Sequence, residues 1–403
     1  MATFVYRART ATGQVVDGTL EAENERMLNS KLLAMNYIPV SIKEQKKGVP
    51  LKEVFGRFQK VSLKSLTIFA RQFSTMINAG LSLVKCLDIL GQQTEDQKLR
   101  EIIANIRKSV EDGSTLANAF AQYPHVFSPL FINLVRSGEV GGVLDEVMGR
   151  LAVFLEKDQI LKSKVKSAMT YPTVVLFVAI GIVIFLVTVI LPTFMEMFAG
   201  LDVELPLPTK MLLFISGVMR RYWWGLILVF GLGVFALLRY ISTPVGKKQY
   251  DRLVLKLPVF GPLNSKVAIS RFSRTLSTLL SSGVPVMQGL EVVAKASGNE
   301  IVSEAVLTAR TSIREGESIA PPLQESGIFP PMVTQMIAVG EETGNLDGML
   351  EKISDFYDME VDTTINSLTS LLEPIMMVGM GVIVGFIVIS MFLPLFTLVS
   401  SIK

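Results

Sequence analysis

KVKSAMTYPTVVLFVAIGIVIFLVTVILP, running from Lys164 to Pro192, is the stretch on which the fold turns. Lys162, Lys164 and Lys166 mark its upstream edge, and Tyr171-Pro172 opens a run to Leu191 that contains no charge. Proline is tolerated at a first helical position, because the N–H it lacks has no intrahelical partner there. About twenty apolar residues at ~1.5 Å each cover the roughly 30 Å of hydrocarbon in a bilayer. The stretch therefore predicts a membrane helix that starts at Pro172 behind a basic entrance. It also recurs: Pro172 and Pro192 return as Pro374 and Pro394, and Phe194 returns as Phe396.

The recurrence extends far upstream. Residues 66–196 match 269–398 at an offset of 203, which falls to 202 after a one-residue gap between Gly113 and Phe127. FARQFSTMINAGLSL parallels FSRTLSTLLSSGVPV, pairing Arg71 with Arg274 and Gly80 with Gly283. FSPLFINLVRSGEVGGVLDEVM parallels FPPMVTQMIAVGEETGNLDGML. So long a match in one register identifies an internal duplication.

Between Pro172 and Pro374 lies one further apolar run, Tyr222 to Leu238, opened by Tyr222-Trp223-Trp224. Aromatics of this kind favour the membrane–water boundary. The chain thus crosses twice between the repeat spans, so both repeat spans start from one face and run the same way. Basic residues cluster on that face at 157–166 and 239–256, which makes it cytoplasmic by the positive-inside rule. The expected layout is mainly α: a small ββαβ unit at 1–43 and a linker at 44–61 containing a short amphipathic segment, LKEVFGRF. A first six-helix bundle follows at 62–170, then spans at 171–192, 222–239 and 373–398, a periplasmic loop at 193–221 and a second six-helix bundle at 240–372. Within the first bundle Leu63, Leu66, Phe69, Phe73, Met76 and Ile77 share one helix face. The opening MATFVYRART has no continuous apolar segment, so no secretory signal is expected and the N-terminus is expected in the cytoplasm. The C-terminus then falls on the periplasmic side.

Composition narrows the function classes. A net charge of +3 over 403 residues gives no reason to expect a nucleic acid partner. One cysteine, Cys86, and one histidine, His125, rule out a disulfide framework and a Cys/His metal cluster. No P-loop or dinucleotide fingerprint occurs, and no nucleophile–base pair is visible, so no catalytic residue and no cofactor is expected. The spans carry no internal charge, which argues against a transporter or channel subunit, where polar residues line the path.

The remaining candidates are structural. Gly138-Glu139 and Gly340-Glu341 occupy equivalent glycine-rich loops, where the acid either caps a helix or meets a partner at the bundle tip. Tyr171-Pro172 and Glu373-Pro374 open the two repeat spans, and Gly381 and Gly385 form a GxxxG spacing suited to close helix packing or self-association. Asp96, Asp145 and Glu146 are the acids that could gather around a hard cation. The second bundle is the more acidic, with 16 acids to 11 bases over 247–373 against 11 to 12 over 66–170. The difference is expected to mean different partners, or one copy facing a partner and the other facing its sibling, with the run Asp355, Asp358, Glu360 and Asp362 as the place to test it.

The duplicated layout, the K-V-x-x-A-M-x-Y-P signature at Lys164–Pro172, the Ile-Leu-Pro at 190–192 and both Gly-Glu pairs resemble the inner-membrane platform proteins of type IV pilus and type II secretion machines. The one departure is Glu373 where the first copy has tyrosine. The resemblance covers essentially the whole chain. It implies a non-enzymatic, multi-pass protein of the bacterial inner membrane that contacts a hexameric assembly or retraction ATPase, pilin subunits and other inner-membrane assembly proteins. It also implies homo-oligomers, dimeric or tetrameric. The opening MATFVYRAR and the ending GFIVISMFLPLFTLVSSIK are more similar to the pilus branch, with the secretion platform as the alternative.

Overall fold

A computed structural model describes residues 2–10, 15–22, 25–35, 37–44, 61–197, 205–258 and 260–401. The chain divides into two compact units, 1–60 and 61–403. The first is the expected ββαβ unit. Strand β1 (Ala2–Thr10) lies between β2 (Val15–Ala22) and β3 (Tyr37–Glu44), antiparallel to both. Pro39 is harmless because β3 is an edge strand and an unpaired N–H is not needed there. Helix α1 (Glu25–Ala34) buries Leu28 and Leu32 against Phe4, Tyr6, Ala8 and Ala22. The segment LKEVFGRF at 51–58 lies outside the described residues.

The second unit holds both repeats. The first is α2 (Leu63–Asn78), α3 (Leu83–Gln93), α4 (Gln97–Glu111), α5 (Leu116–Ala121), α6 (Pro129–Gly141) and α7 (Leu144–Phe185). The polar residues between the runs start these helices. Ser62, Asp96, Thr115 and Ser128 each accept a hydrogen bond from a backbone N–H in the following first turn. Gly80 stops α2 in the left-handed conformation (φ 81°), as Gly283 does at the matching place in the second repeat (φ 77°). Leu66, Phe69 and Phe73 point inward as the spacing predicts, with Leu63, Met76 and Ile77 packed at the margin. Phe69, Phe120, Phe127 and Phe131 form an aromatic cluster with centroids 4.5 to 6.3 Å apart.

After α7 the chain passes through one wide π turn (Leu186–Ile190), α8 (Leu191–Glu196) and α9 (Leu207–Ile241). A further helix, α10 (Pro244–Lys256), precedes the second repeat. The second repeat follows as α11 (Gly261–Ser281), α12 (Val286–Ala296), α13 (Glu300–Arg314), α14 (Ala320–Glu325), α15 (Pro331–Thr343) and α16 (Leu346–Ser401). One continuous hydrophobic core runs through both bundles. Three helical stretches are long and apolar enough to cross a membrane: 144–196, 207–241 and 346–397.

Three sequence expectations need correction. The helices that carry the repeat spans do not start at Pro172 and Pro374; both prolines lie inside helices that begin at Leu144 and Leu346. A proline removes one ladder hydrogen bond, and each of these long helices continues past that single loss. Downstream, the π turn just before Pro192 widens the helix where the ring would otherwise meet the carbonyl four residues back. Second, 193–221 is largely helical, because α8 and the first part of α9 occupy it. The break near its end is a kink at Tyr222 (φ −118°, ψ 22°), where the second span was expected to open. Third, Gly138-Glu139 and Gly340-Glu341 are not loop residues; they form the last turns of α6 and α15.

Candidate functional site

Four arrangements concern the residues singled out in the sequence. The first is the helix end at each Gly-Glu pair. Glu139 reaches from α6 to the start of α5, where its carboxylate accepts from the Leu116 and Ala117 N–H groups at 2.7 and 3.1 Å. Glu341 does the same from α15, accepting from the Ile319 N–H and the Ser318 hydroxyl. A carboxylate here meets both orphan donors and the positive end of the helix dipole. The adjoining glycines allow the approach: a Cβ on Gly138 would lie 3.0 Å from Val147 Cβ, and one on Gly340 3.0 Å from Leu346 Cα. Of the two roles open to these acids, the helix cap is the one the structure contains.

The second arrangement joins bundles to spans. α7 and α16 run side by side and parallel above the membrane segments. Leu161, Val165 and Ala168 on α7 and Val361, Ile365 and Leu368 on α16 belong to one apolar seam, at the alternating four–three spacing of a coiled coil. Two interhelical ion pairs flank it one heptad apart: Lys157–Asp355 at 2.8 Å and Lys164–Asp362 at 2.6 Å. Lys266 pairs with Glu360 at 2.7 Å, and the buried Arg274 pairs with Asp358. All four acids of the run therefore form ion pairs within the chain, two with the first repeat and two within the second. The sequence carries a signal for this: the repeat register places Arg71–Glu156 and Arg274–Asp358 at equivalent positions, and both pairs form. Arg107–Asp88 and Arg310–Glu291 are a second equivalent set, at 2.6 and 2.9 Å. The Glu156 carboxylate, hydrogen-bonded to Arg71, holds that guanidinium above its ordinary pKa.

The third arrangement is a groove of about 860 Å³ between the two repeat spans. Tyr171 and Glu373, equivalent residues, both line it, with Ala179, Gly379 and Gly381 deeper in. Pro172 and Pro374 lie next to its mouth in sequence. Gly381 and Gly385 have open space around them, so no close helix contact within the chain uses the GxxxG spacing.

The fourth is the set of cation candidates. Asp96 accepts from the Leu99 N–H as a helix cap, and Asp145 and Glu146 lie in the first turn of α7, where Glu146 pairs with Arg150 at 2.5 Å. Among the described residues no three acid, histidine or cysteine side chains converge as a metal site would require. Cys86 is buried in the first core, which pushes its thiol pKa up and leaves it a small apolar residue in effect.

In the sequence α10 is marked at its start by Thr243-Pro244, a capping threonine followed by a proline in the first turn. Its Asp251 is buried and accepts from the Glu300 N–H at 2.7 Å, while Lys247 and Lys248 pair with Glu300 and Glu304. α10 thereby ties the end of the second span to the second bundle.

Comparison with known proteins returns one family twice over. The model for type II secretion system protein F matches residues 69–192 and again 272–394, and the model for the N-terminal domain of that protein matches 1–43. A type IV pilus assembly protein PilC of Myxococcus xanthus is 44% identical over 100% of this chain and 96% of its own length. The protein of the same name from Thermus thermophilus is 44% identical over the full length of both. A type II secretion system protein F of Vibrio cholerae is 34% identical over 98% of each chain.

Proposed function

The chain belongs to the type II secretion system protein F family, and we propose that it is the inner-membrane platform of a type IV pilus machine. It couples a cytoplasmic hexameric assembly ATPase to the insertion of pilin subunits into the growing fibre. Both bundles and the N-terminal unit face the cytoplasm in this reading, and the C-terminus lies on the periplasmic side. The observation that carries it is the α7–α16 pair. The last helix of each bundle continues without a break into a repeat span, and the two are seamed together before they reach the bilayer. A displacement of either bundle is thereby delivered to two parallel spans at once. The pilus branch is favoured over the secretion branch by the higher identity of its full-length relatives, 44% against 34%.

In-membrane crosslinking followed by capture of the chain from its native host tests this. Recovery of a hexameric ATPase together with a pilin is the expected result. Recovery of an ATPase with pseudopilins instead moves the chain to the secretion branch, and recovery of neither contradicts the platform role.

A further inference from the structure

Two open spaces adjoin one another on the α7–α16 pair. The first is the apolar groove of about 860 Å³ between the repeat spans, walled by Val175, Ala179, Val183, Met376, Met380 and Gly381. The second, of about 710 Å³, is polar and is lined by Lys164, Ser167, Asp362, Asn366, Thr369 and Ser370. Lys164 and Tyr171 are one heptad apart, as are Asn366 and Glu373, so each pair shares one side of its helix. The polar slot therefore leads into the groove at Tyr171 and Glu373, which line the groove's mouth. At the far end Val183 also borders the packed cluster of Val187, Leu191, Leu212, Ile387 and Met391, which bounds the groove in that direction.

Dimensions and charge narrow what fits. From Tyr171 to Ile184 the groove runs about 20 Å along α7, at ~1.5 Å per residue. Spread over that length, its volume gives a mean cross-section of about 43 Å². A helix with its side chains is about 10 Å across and needs roughly 80 Å². The groove is too narrow for a further membrane helix and has the width of extended acyl chains. In the polar slot Lys164 and Asp362 pair at 2.6 Å and neutralise each other. Among the described residues, Glu373 makes no ion pair or side-chain hydrogen bond, and the side chains of Ser167, Asn366 and Ser370 make no hydrogen bond. The slot thus offers uncommitted donors to a phosphate, and the mouth offers one unpaired carboxylate to an ammonium group. Of the two equivalent residues at the mouth, only Glu373 is charged, since the first repeat has Tyr171 there.

We propose that the slot and groove together bind one phosphatidylethanolamine molecule from the leaflet nearest the bundles. Its phosphate lies in the polar slot beside Lys164, its ammonium donates to the Glu373 carboxylate, and its acyl chains lie between the repeat spans. Lys164, Asp362 and Glu373 carry one net negative charge between them, so a zwitterion with a terminal ammonium is accepted and the anionic headgroup of phosphatidylglycerol is disfavoured. The lipid fills the space that the α7–α16 seam leaves open below Ala168 and Leu368, and so joins the two spans where their own side chains do not meet.

Lipid retention by the purified full chain tests this. The protein is reconstituted in vesicles of phosphatidylethanolamine and phosphatidylglycerol in equal amounts, re-extracted in mild detergent, and its bound lipid is measured by mass spectrometry. Selective retention of phosphatidylethanolamine is expected. Glu373→Gln keeps the shape of the mouth and removes its charge, and should lower that retention several-fold and abolish the selectivity. Gly381→Leu places a side chain in the open space of the groove and should displace the lipid whatever its headgroup. Adding phosphatidylethanolamine to delipidated protein should raise the thermal midpoint of the unmodified chain and leave that of Glu373→Gln unchanged. Retention of the two lipids in equal proportion, a preference for phosphatidylglycerol, or unaltered retention and selectivity in Glu373→Gln would each overturn the proposal. So would an apolar polypeptide copurifying in the lipid's place, which would assign the groove to a partner's span.

Discussion

Arg274 and Arg71 are equivalent residues with equivalent partners, yet their surroundings make them different in energy. Arg274 is 6% exposed, and its guanidinium meets Asp358 and the Ser270 hydroxyl. Removing one partner of a buried pair leaves an uncompensated charge, which costs on the order of 3–5 kcal/mol. Arg71–Glu156 is 44% and 36% exposed, so water screens it, and such pairs are worth about 0–1 kcal/mol. Asp358→Ala should therefore lower the thermal midpoint of the purified protein sharply, while Glu156→Ala should barely move it. Equal effects would contradict the burial difference. Sequence pairs these arginines through the repeat, but it does not rank them, because burial depends on which helices cover each copy. The same limit applies to Glu139 and Glu341. Their equivalence is legible, but a carboxylate reaching from one helix to the N-terminus of another, about 22 residues earlier, is a tertiary contact that local spacing does not encode.

At the scale of elements, hydropathy and glycine placement locate the bundle helices to within a few residues, and the spacing of Phe69 and Phe73 marks the buried face of α2. Proline is the exception, since it reads as a helix boundary and does not act as one here. Pro172 and Pro374 sit in helices of 42 and 56 residues, where one missing hydrogen bond is a small part of the ladder. The coiled seam escapes the sequence for another reason: its helix is expected as the last of the first bundle, but which helix it packs against is a tertiary contact. The seam makes its own prediction. Lys164→Glu places two like charges side by side, as does Asp362→Lys, and each should lower thermal stability by up to about 1 kcal/mol. The double variant Lys164→Glu/Asp362→Lys restores opposite charges and should recover most of the loss. Additive losses in the double variant would mean the two residues do not face each other.

For the whole molecule, the duplication and the absence of charge within the spans are readable from composition and register, and they argue against a solute path through the membrane helices. The acidic surplus of the second bundle is spent in part on its sibling, because Asp355 and Asp362 pair with Lys157 and Lys164 of the first repeat. Asp358 and Glu360 of the same run pair within the second repeat. What remains is a pair of bundles sharing one core, with their last helices fused to two parallel spans and the middle span tied back by α10. That construction suits a part that transmits movement. The direct test is a count of surface pili in a native-host strain lacking this chain, with pilin followed in the membrane fraction. The account predicts pilin retained in the inner membrane, no assembled fibres, and recovery when the chain is restored. Normal piliation in the deletion strain would contradict it.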